Sequence, residues 1–318
     1  MNAQSLGISR RRFIASTGLA ATAACFVPQR LFGAEQNLVA GARASGATTK
    51  IATQALRGNV SALIGSGGNI AVLPGSDGKL IIDSGYLTSR EKIAAALDGI
   101  SRDPVKHLVN THWHFDHTDG NEWMHSAGAT ITAHENTRKH LSTSTRVEDW
   151  NFTFPASPPG AIPTEVFNAD KTLRLNGATI ALKYYGSAHT DGDISAYFGE
   201  ADVLHTGDTW WNGYYPFIDY STGGSLDGMM NAAETNLAMV TDKTVVIPGH
   251  GPVGGKAEMI EYREILATIR DRVAALKAQG KSLDEIVAAK PTAAYDAKWA
   301  GGFVNGEFFT KLVYKGLG

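Results

Sequence analysis

Thiol chemistry is almost missing from this sequence. Its 318 residues contain one cysteine, Cys25, and that residue lies in the N-terminal segment. A disulfide framework is thereby excluded, and removal of that segment would exclude a thiolate metal site as well. Lipid attachment at T-A-A-C is disfavoured because Thr22 stands where a large aliphatic residue belongs. An excess of one charge is also lacking: 29 Lys and Arg against 31 Asp and Glu leave a net charge of -2. No basic cluster occurs beyond the N-terminus, so the electrostatic footprint of a nucleic-acid partner is absent. There are no internal repeats and no clear linker. What the chain has in quantity is glycine, 35 residues, with 43% apolar residues overall, which fits one large core of short strands and tight turns better than a helical bundle.

The basic residues at the start have a pattern. Residues 9–13 read S-R-R-R-F and are followed by the uncharged, small-residue run 14–27. Paired arginines before an apolar stretch too short for a comfortable permanent span form a twin-arginine export signal. The expected consequences are delivery by the twin-arginine machinery, a periplasmic or otherwise exported protein, and no permanent membrane anchor. Cleavage fits after Ala34 or after Ala44. The chain then divides into a signal and leader at 1–44, a central domain at 45–280 and a C-terminal helical extension at 281–318.

The central domain is organised around residues 109–120, V-N-T-H-W-H-F-D-H-T-D-G. His112, His114, Asp116 and His117 fall within six positions, directly after the β-branched run Val105–Val109, which reads as a buried strand. The cluster therefore sits at a strand's C-terminal end, where α/β sheets place their ligands. Alternation along an extended backbone turns His112 and His114 to one side and Trp113 to the other, so the two histidines can share a metal. The turn at Thr118, Asp119 and Gly120 lets Asp116 and His117 face a second metal beside the first. A chance match to H-x-H-x-D-H in a chain of this composition has a probability on the order of 1 in 2000, so the motif is read as chemistry.

Three more strand ends carry a candidate ligand. His189 follows an apolar run at 180–185, Asp208 follows one at 201–204, and His250 breaks the β-branched run 244–247 within P-G-H-G. Glycine flanks each, which permits close backbone approach to a small site.

This set resembles the metallo-β-lactamase-fold superfamily of hydrolases over about residues 50–270. The resemblance implies an α/β fold, specifically a four-layer αββα sandwich. It implies that His112, His114 and His189 hold one metal, that Asp116, His117 and His250 hold another, and that Asp208 bridges them. A hard carboxylate at Asp208 stands where related zinc β-lactamases carry cysteine, as in the superfamily's lactonases, thioesterases and ribonucleases. Asp83, at the end of L-I-I-D-S-G, is implied to buttress the ligand loop. The implied cofactor is two Zn2+ per chain, with iron or manganese as alternatives for such a donor set. The implied activity is hydrolysis of a small molecule at an acyl carbonyl (β-lactam, lactone or ester) by a metal-bridging hydroxide, with Asp116 also moving a proton. Alternatives within the fold are a mononuclear iron oxygenase and a glyoxalase-type thioesterase; outside catalysis, a metal-binding module.

Aromatic residues near the ligands supply candidate pocket walls. After Asp208 come Trp210, Trp211, Tyr214, Tyr215 and Tyr220. The Thr-, Ser- and Pro-rich segment 143–163, with Trp150, Phe152 and Phe154, reads either as a lid or as a packed surface connection. Helices are expected at 90–97, 226–240 and Lys256–Ala278, and Ser282 with Glu285 three residues on forms a capping box for a short helix. The aromatic stretch 300–317 reads as a docking helix or a subunit contact. His107, His125, His134, His140 and His205 match no ligand position.

Overall fold

The computed structural model describes residues 38–318. The export-signal motif, Cys25 and Ala34 lie outside the described residues. Among the described residues, no helix is long and apolar enough to cross a membrane.

Two sheets face each other. The first has seven strands in the order Ala52–Ala55, Ser61–Ile64, Ile70–Leu73, Lys79–Ile82, Val105–Val109, Thr130–His134 and Glu165–Phe167. It runs antiparallel through the first four strands and parallel from Lys79–Ile82 onward. The second has five strands, Lys171–Leu175, Ala178–Tyr184, Ile194–Phe198, Val203–His205 and Val245–Ile247. Only its last pair is parallel.

Side-chain alternation sorts these strands into layers. Ala62, Ala71, Leu73, Leu80, Ile82 and Val109 point between the sheets and meet Ile180, Leu182, Ile194, Phe198, Val203 and Ile247. Their neighbours in sequence point outward. Leu63, Val72, Ile81, Leu108 and Ile131 pack under the helices Arg90–Ile100 and Asn121–Ser126 through Ile93, Leu97 and Met124. Leu204 and Val246 do the same on the far side, under Leu226–Met239 and Lys256–Ala278. Period-two burial on strands covered on both faces yields the helix–sheet–sheet–helix sandwich that was expected.

The ends depart from the expected division. The boundary at 44 falls inside a helix, Leu38–Thr48, which belongs to the same compact unit as the rest of the described chain. The C-terminal helices Leu283–Ala288, Asp296–Trp299 and Gly306–Gly316 also share that unit. Trp299, Phe309, Leu312 and Val313 are buried in one core with Tyr262 and Ile269 of Lys256–Ala278. The stretch read as a docking helix or a subunit contact packs Phe309 fully and Phe308 and Tyr314 partly against the chain's own core, while Phe303 is 41% exposed. The expected capping box is present, with Glu285 N donating to Ser282 Oγ and Ser282 N to Glu285 Oε2.

Candidate metal centre

Five connections meet at one edge of the sandwich. Strand Lys79–Ile82 ends in Asp83, Val105–Val109 in the turn carrying His112 and His114, Val203–His205 in Asp208, and Val245–Ile247 in His250. His189 arrives from the link between Ala178–Tyr184 and Ile194–Phe198. The backbone bends after Val109, so His112 and His114 do not sit on an extended strand. Both nevertheless face the site, while Trp113 points away and its indole donates to Thr222 Oγ1. Asp116 and His117 occupy the one-turn helix Phe115–Thr118.

Ligand atoms of His112, His114, His189 and Asp208 lie within 4.8 Å of one another, and those of Asp116, His117 and His250 form a second group of the same compactness. Asp208 joins the two groups. Its Oδ1 is 3.1 Å from His117 Nε2, and its Oδ2 is 3.3 Å from His250 Nε2 and 3.4 Å from His189 Nε2. Asp116 Oδ2 is 3.2 Å from His250 Nε2 and 3.5 Å from His117 Nε2. All seven candidate ligands are thus brought together. Glycine makes room for them: a Cβ on Gly249 would strike Asp208 Oδ1, and one on Gly68 would strike the His117 ring.

Hydrogen bonds behind the histidines decide which nitrogen faces inward. His189 Nδ1 donates to the Phe217 carbonyl at 2.7 Å, and His114 Nε2 donates to Asp219 Oδ2 at 3.0 Å. His117 Nδ1 donates to Asp83 Oδ2 at 2.7 Å. Thr111 Oγ1 gives its proton to the same Asp83 oxygen and so accepts from His112 Nδ1 at 3.1 Å. Each neutral imidazole then presents a lone pair to the centre. His189 Nε2 and His114 Nδ1 face each other 2.8 Å apart as two acceptors. His112 Nε2, His117 Nε2 and Asp208 Oδ1 are buried without a hydrogen-bond partner. Acceptors converging with no proton between them repel unless cations share them, so the residues present fit two bound metal ions. The donors are nitrogen and oxygen only; among the described residues there is no cysteine.

Without metal, protons take part of that role. His250 is pushed up to about 9, because Asp208 and Asp116 outweigh the burial that lowers it. His117 is raised in the same way, with Asp208, Asp116 and Asp83 overcoming burial. Burial drives His112 well below its ordinary value. Asp208 is held well below the usual carboxylate range by His250, His117 and His112 against its own burial.

Asp83 binds the ligand loop with both oxygens, accepting also from Thr111 N at 2.7 Å. Its φ of 67° is a left-handed conformation that aspartate tolerates better than most residues. Asp219 and the Phe217 carbonyl escaped the sequence reading. Asp219 is next to last in W-W-N-G-Y-Y-P-F-I-D-Y, where the aromatics drew attention and the acid did not. It also accepts from Thr222 Oγ1 at 2.7 Å. Replacing Asp219 with Asn should weaken metal binding by about 10- to 100-fold while leaving the fold intact. Competition with a chromogenic chelator measures this; unchanged affinity would remove Asp219 from the account.

The aromatic walls differ from expectation. Tyr215 is fully buried, stacked on Phe309 at 4.9 Å and bonded to Asp296 Oδ1 at 3.0 Å, and Trp210 is 1% exposed. Neither can wall a pocket open to substrate; the chain dives into the helical layer just after Asp208. Tyr214 packs against Gly302, and Tyr220 donates to the Leu312 carbonyl at 2.8 Å, so both serve the C-terminal helices. Tyr215→Ala should cost about 3–5 kcal/mol of stability with metal stoichiometry unchanged, as denaturant melts and metal analysis would report. Only Trp211 of this group lies at the centre, its ring 4.3 Å from that of His250. The other wall comes from segment 143–163, which forms a hairpin, Thr145–Val147 with Phe152–Phe154. Its Trp150 lies 4.9 Å from the His114 ring and stacks at 4.9 Å on Phe217. Asp116 and His250 are the most open members of the cluster, with side chains 12% and 19% exposed against 2% or less for the others, so access is from their side.

The five remaining histidines are structural. His205 Nε2 donates to the Asn69 carbonyl and its Nδ1 accepts from Gly207 N, which fixes the turn before Asp208. His134 caps the helix Glu135–Ser142, and His140 pairs with Asp191 at 2.8 Å. His107 and His125 bond to backbone carbonyls of Asp77 and Ala129.

Comparison with known proteins bears on this geometry. A family model described as the metallo-beta-lactamase superfamily matches residues 63–255. A metallo-beta-lactamase from Pontibacter korlensis is similar at TM-score 0.55 and 18% identity, over 69% of this chain and 99% of that one. The DIM-1 metallo-beta-lactamase is similar at TM-score 0.53 and 19% identity, over 69% and 98%. The sec-alkylsulfatase Pisa1 from Pseudomonas sp. is similar at TM-score 0.61 and 17% identity, over 86% of this chain and 51% of that one. The chain therefore spans about half the length of the alkylsulfatase, and at these identities the likeness is one of fold.

Proposed function

The chain belongs to the metallo-beta-lactamase superfamily, and from that premise we propose that it is a dinuclear zinc hydrolase of small-molecule acyl bonds. The observation that carries the proposal is Asp208, whose oxygens face members of both ligand groups beside His112 Nε2 and His117 Nε2, which are buried without a hydrogen-bond partner. His112, His114 and His189 would hold one ion, Asp116, His117 and His250 the other, and Asp208 both. When bound, such ions supply water of lowered pKa and a Lewis acid for the carbonyl oxygen.

The chain's own residues do the rest. Asp116, at the open side and 3.2 Å from His250, is placed to take a proton and return it to the leaving group. Asp219, Asp83, Thr111 and the Phe217 carbonyl keep each imidazole's lone pair aimed inward, so no reorganisation is needed during turnover. Trp150 and Trp211 exclude water from the flanks. The doubled ligand set favours this reading over a mononuclear iron oxygenase, which needs only one group. Export rests on the S-R-R-R-F motif and would bring the enzyme into contact with molecules arriving from outside.

The test is turnover of a chromogenic cephalosporin, an aryl ester and a lactone by zinc-loaded protein, with and without chelator. Chelator-sensitive hydrolysis of at least one, with two equivalents of zinc bound, is expected. Two bound equivalents with no acyl substrate turned over would overturn the substrate class, and an alkyl sulfate would be assayed next.

A further inference from the structure

The helix Leu38–Thr48 lies where the sequence placed the end of a removable leader, yet it is fitted to the ligand turn. Arg43 Nε donates to Asp119 Oδ2 at 2.6 Å and its Nη2 to Oδ1 at 2.8 Å, a bidentate pair across 76 residues of chain. The guanidinium also lies 5.2 Å from the centre of the Phe115 ring. Asp119 closes the one-turn helix that carries Asp116 and His117, its amide donating to the Phe115 carbonyl at 2.8 Å.

The rest of the helix is seated with equal care. Thr88 Oγ1 donates to the Arg43 carbonyl at 2.7 Å, Ser89 Oγ to the Gly46 carbonyl at 2.9 Å, and Lys92 Nζ to the carbonyls of Gly46 and Thr49 at 2.8 and 2.6 Å. A Cβ at position 46 would come 2.5 Å from Thr88 Oγ1 and 2.8 Å from Tyr86 Cδ2, so only glycine permits this approach. The Asp119 side chain is 14% exposed, so loss of Arg43 would leave a mostly buried carboxylate unpaired, and the turn would have to swing it toward water.

We propose that Arg43 is a positioning residue of the metal centre, holding the turn of Asp116 and His117 through Asp119, and that the mature protein therefore keeps the helix Leu38–Thr48. Of the two cleavage positions, the one after Ala34 leaves that helix whole and the one after Ala44 removes Arg43. The inference rests on the dinuclear reading, and its test separates the two.

Calorimetric titration of the chelated protein with zinc is the first experiment. The unaltered protein should bind two equivalents. Arg43→Gln should bind the first as before and the second about tenfold or more weakly. Arg43→Lys should recover part of the loss, and the exchanged pair Arg43→Asp with Asp119→Arg should bind the second zinc more tightly than either single variant. Circular dichroism identifies any variant that does not fold, and the Lys and exchanged variants then carry the comparison. Two full-affinity equivalents in Arg43→Gln would overturn the inference with the dinuclear reading intact; one equivalent in the unaltered protein would overturn both. The second experiment is intact-mass determination of the protein recovered from export-competent cells. A species retaining Arg43 is expected, and one beginning at Ser45 would overturn the processing half of the inference.

Discussion

Asp208→Asn is expected to lower kcat/KM by about 10³-fold and to reduce bound metal from two equivalents to one. The substitution keeps shape and volume and removes the anion. An amide can offer one oxygen to one group, but its NH2 cannot ligate and would instead donate to the lone pair of His117 or to those of His189 and His250, 3.1 to 3.4 Å away, withdrawing them from a metal. Two ions held by these adjoining ligand groups would need a shared negative charge to offset their repulsion, so the second ion is the one expected to be lost. Metal analysis alongside kinetics is decisive. A variant that keeps two ions and more than about a tenth of its activity would show that Asp208 does not bridge. Folding is preserved, because the polar atoms of Asp208 meet ligands at the rim of the two sheets while the apolar layers lie elsewhere.

In the chelated protein, stability should fall as pH rises from about 6.5 through 9, and zinc should reverse the trend. His250 has a folded value of about 9, above the ordinary 6.5 of a histidine. A group raised on folding contributes stability that is complete below its unfolded value and vanishes as pH passes its folded value. His117, also raised, acts in the same direction. For His250 the loss is on the order of 3 kcal/mol, or roughly 5 °C in Tm. Asp208, held low, works oppositely: its contribution is present above its unfolded value near 3.8 and is lost only as pH falls through the lower folded value. His112 and His114, lowered by burial, cost stability as pH falls below their ordinary 6.5, so as far as this cluster decides the metal-free protein should be most stable near pH 6.5. Zinc needs His117 and His250 deprotonated, so its affinity should climb over the same 6.5–9 window and proton release should accompany binding. Thermal melts at several pH values, with chelator and with zinc, test both halves. A chelated protein with a flat Tm from pH 6.5 to 9 would disprove the coupling between His250 and its two carboxylates.

The ligands were legible because they are local. His112, His114, Asp116 and His117 lie in one strand-to-helix connection, so their spacing alone brings them together. His189, Asp208 and His250 could be read because each follows a strand-like run and stands beside glycine, a signature of backbone that must approach something closely. Alternation along those runs likewise fixed which residues face the partner sheet.

Orientation was not legible. Trp210 and Tyr215 are nearer to Asp208 in sequence than Trp150 is, yet the first two are core and the third lies against His114. Adjacency to a ligand says nothing about facing once the chain turns under a helical layer. Asp219 could not be assigned to His114 because 105 residues separate them, and no period links the two. Arg43 looked like part of a leader for the same reason.

The sequence by itself therefore determined the candidate donor set and the layered fold, since these follow from residue type and short-range spacing. Only the tertiary structure decided which nitrogen of each histidine points inward, which aromatics flank the site and that Arg43 pairs with Asp119. Those properties depend on contacts between segments far apart in the chain, and such contacts form only when the sheets have closed.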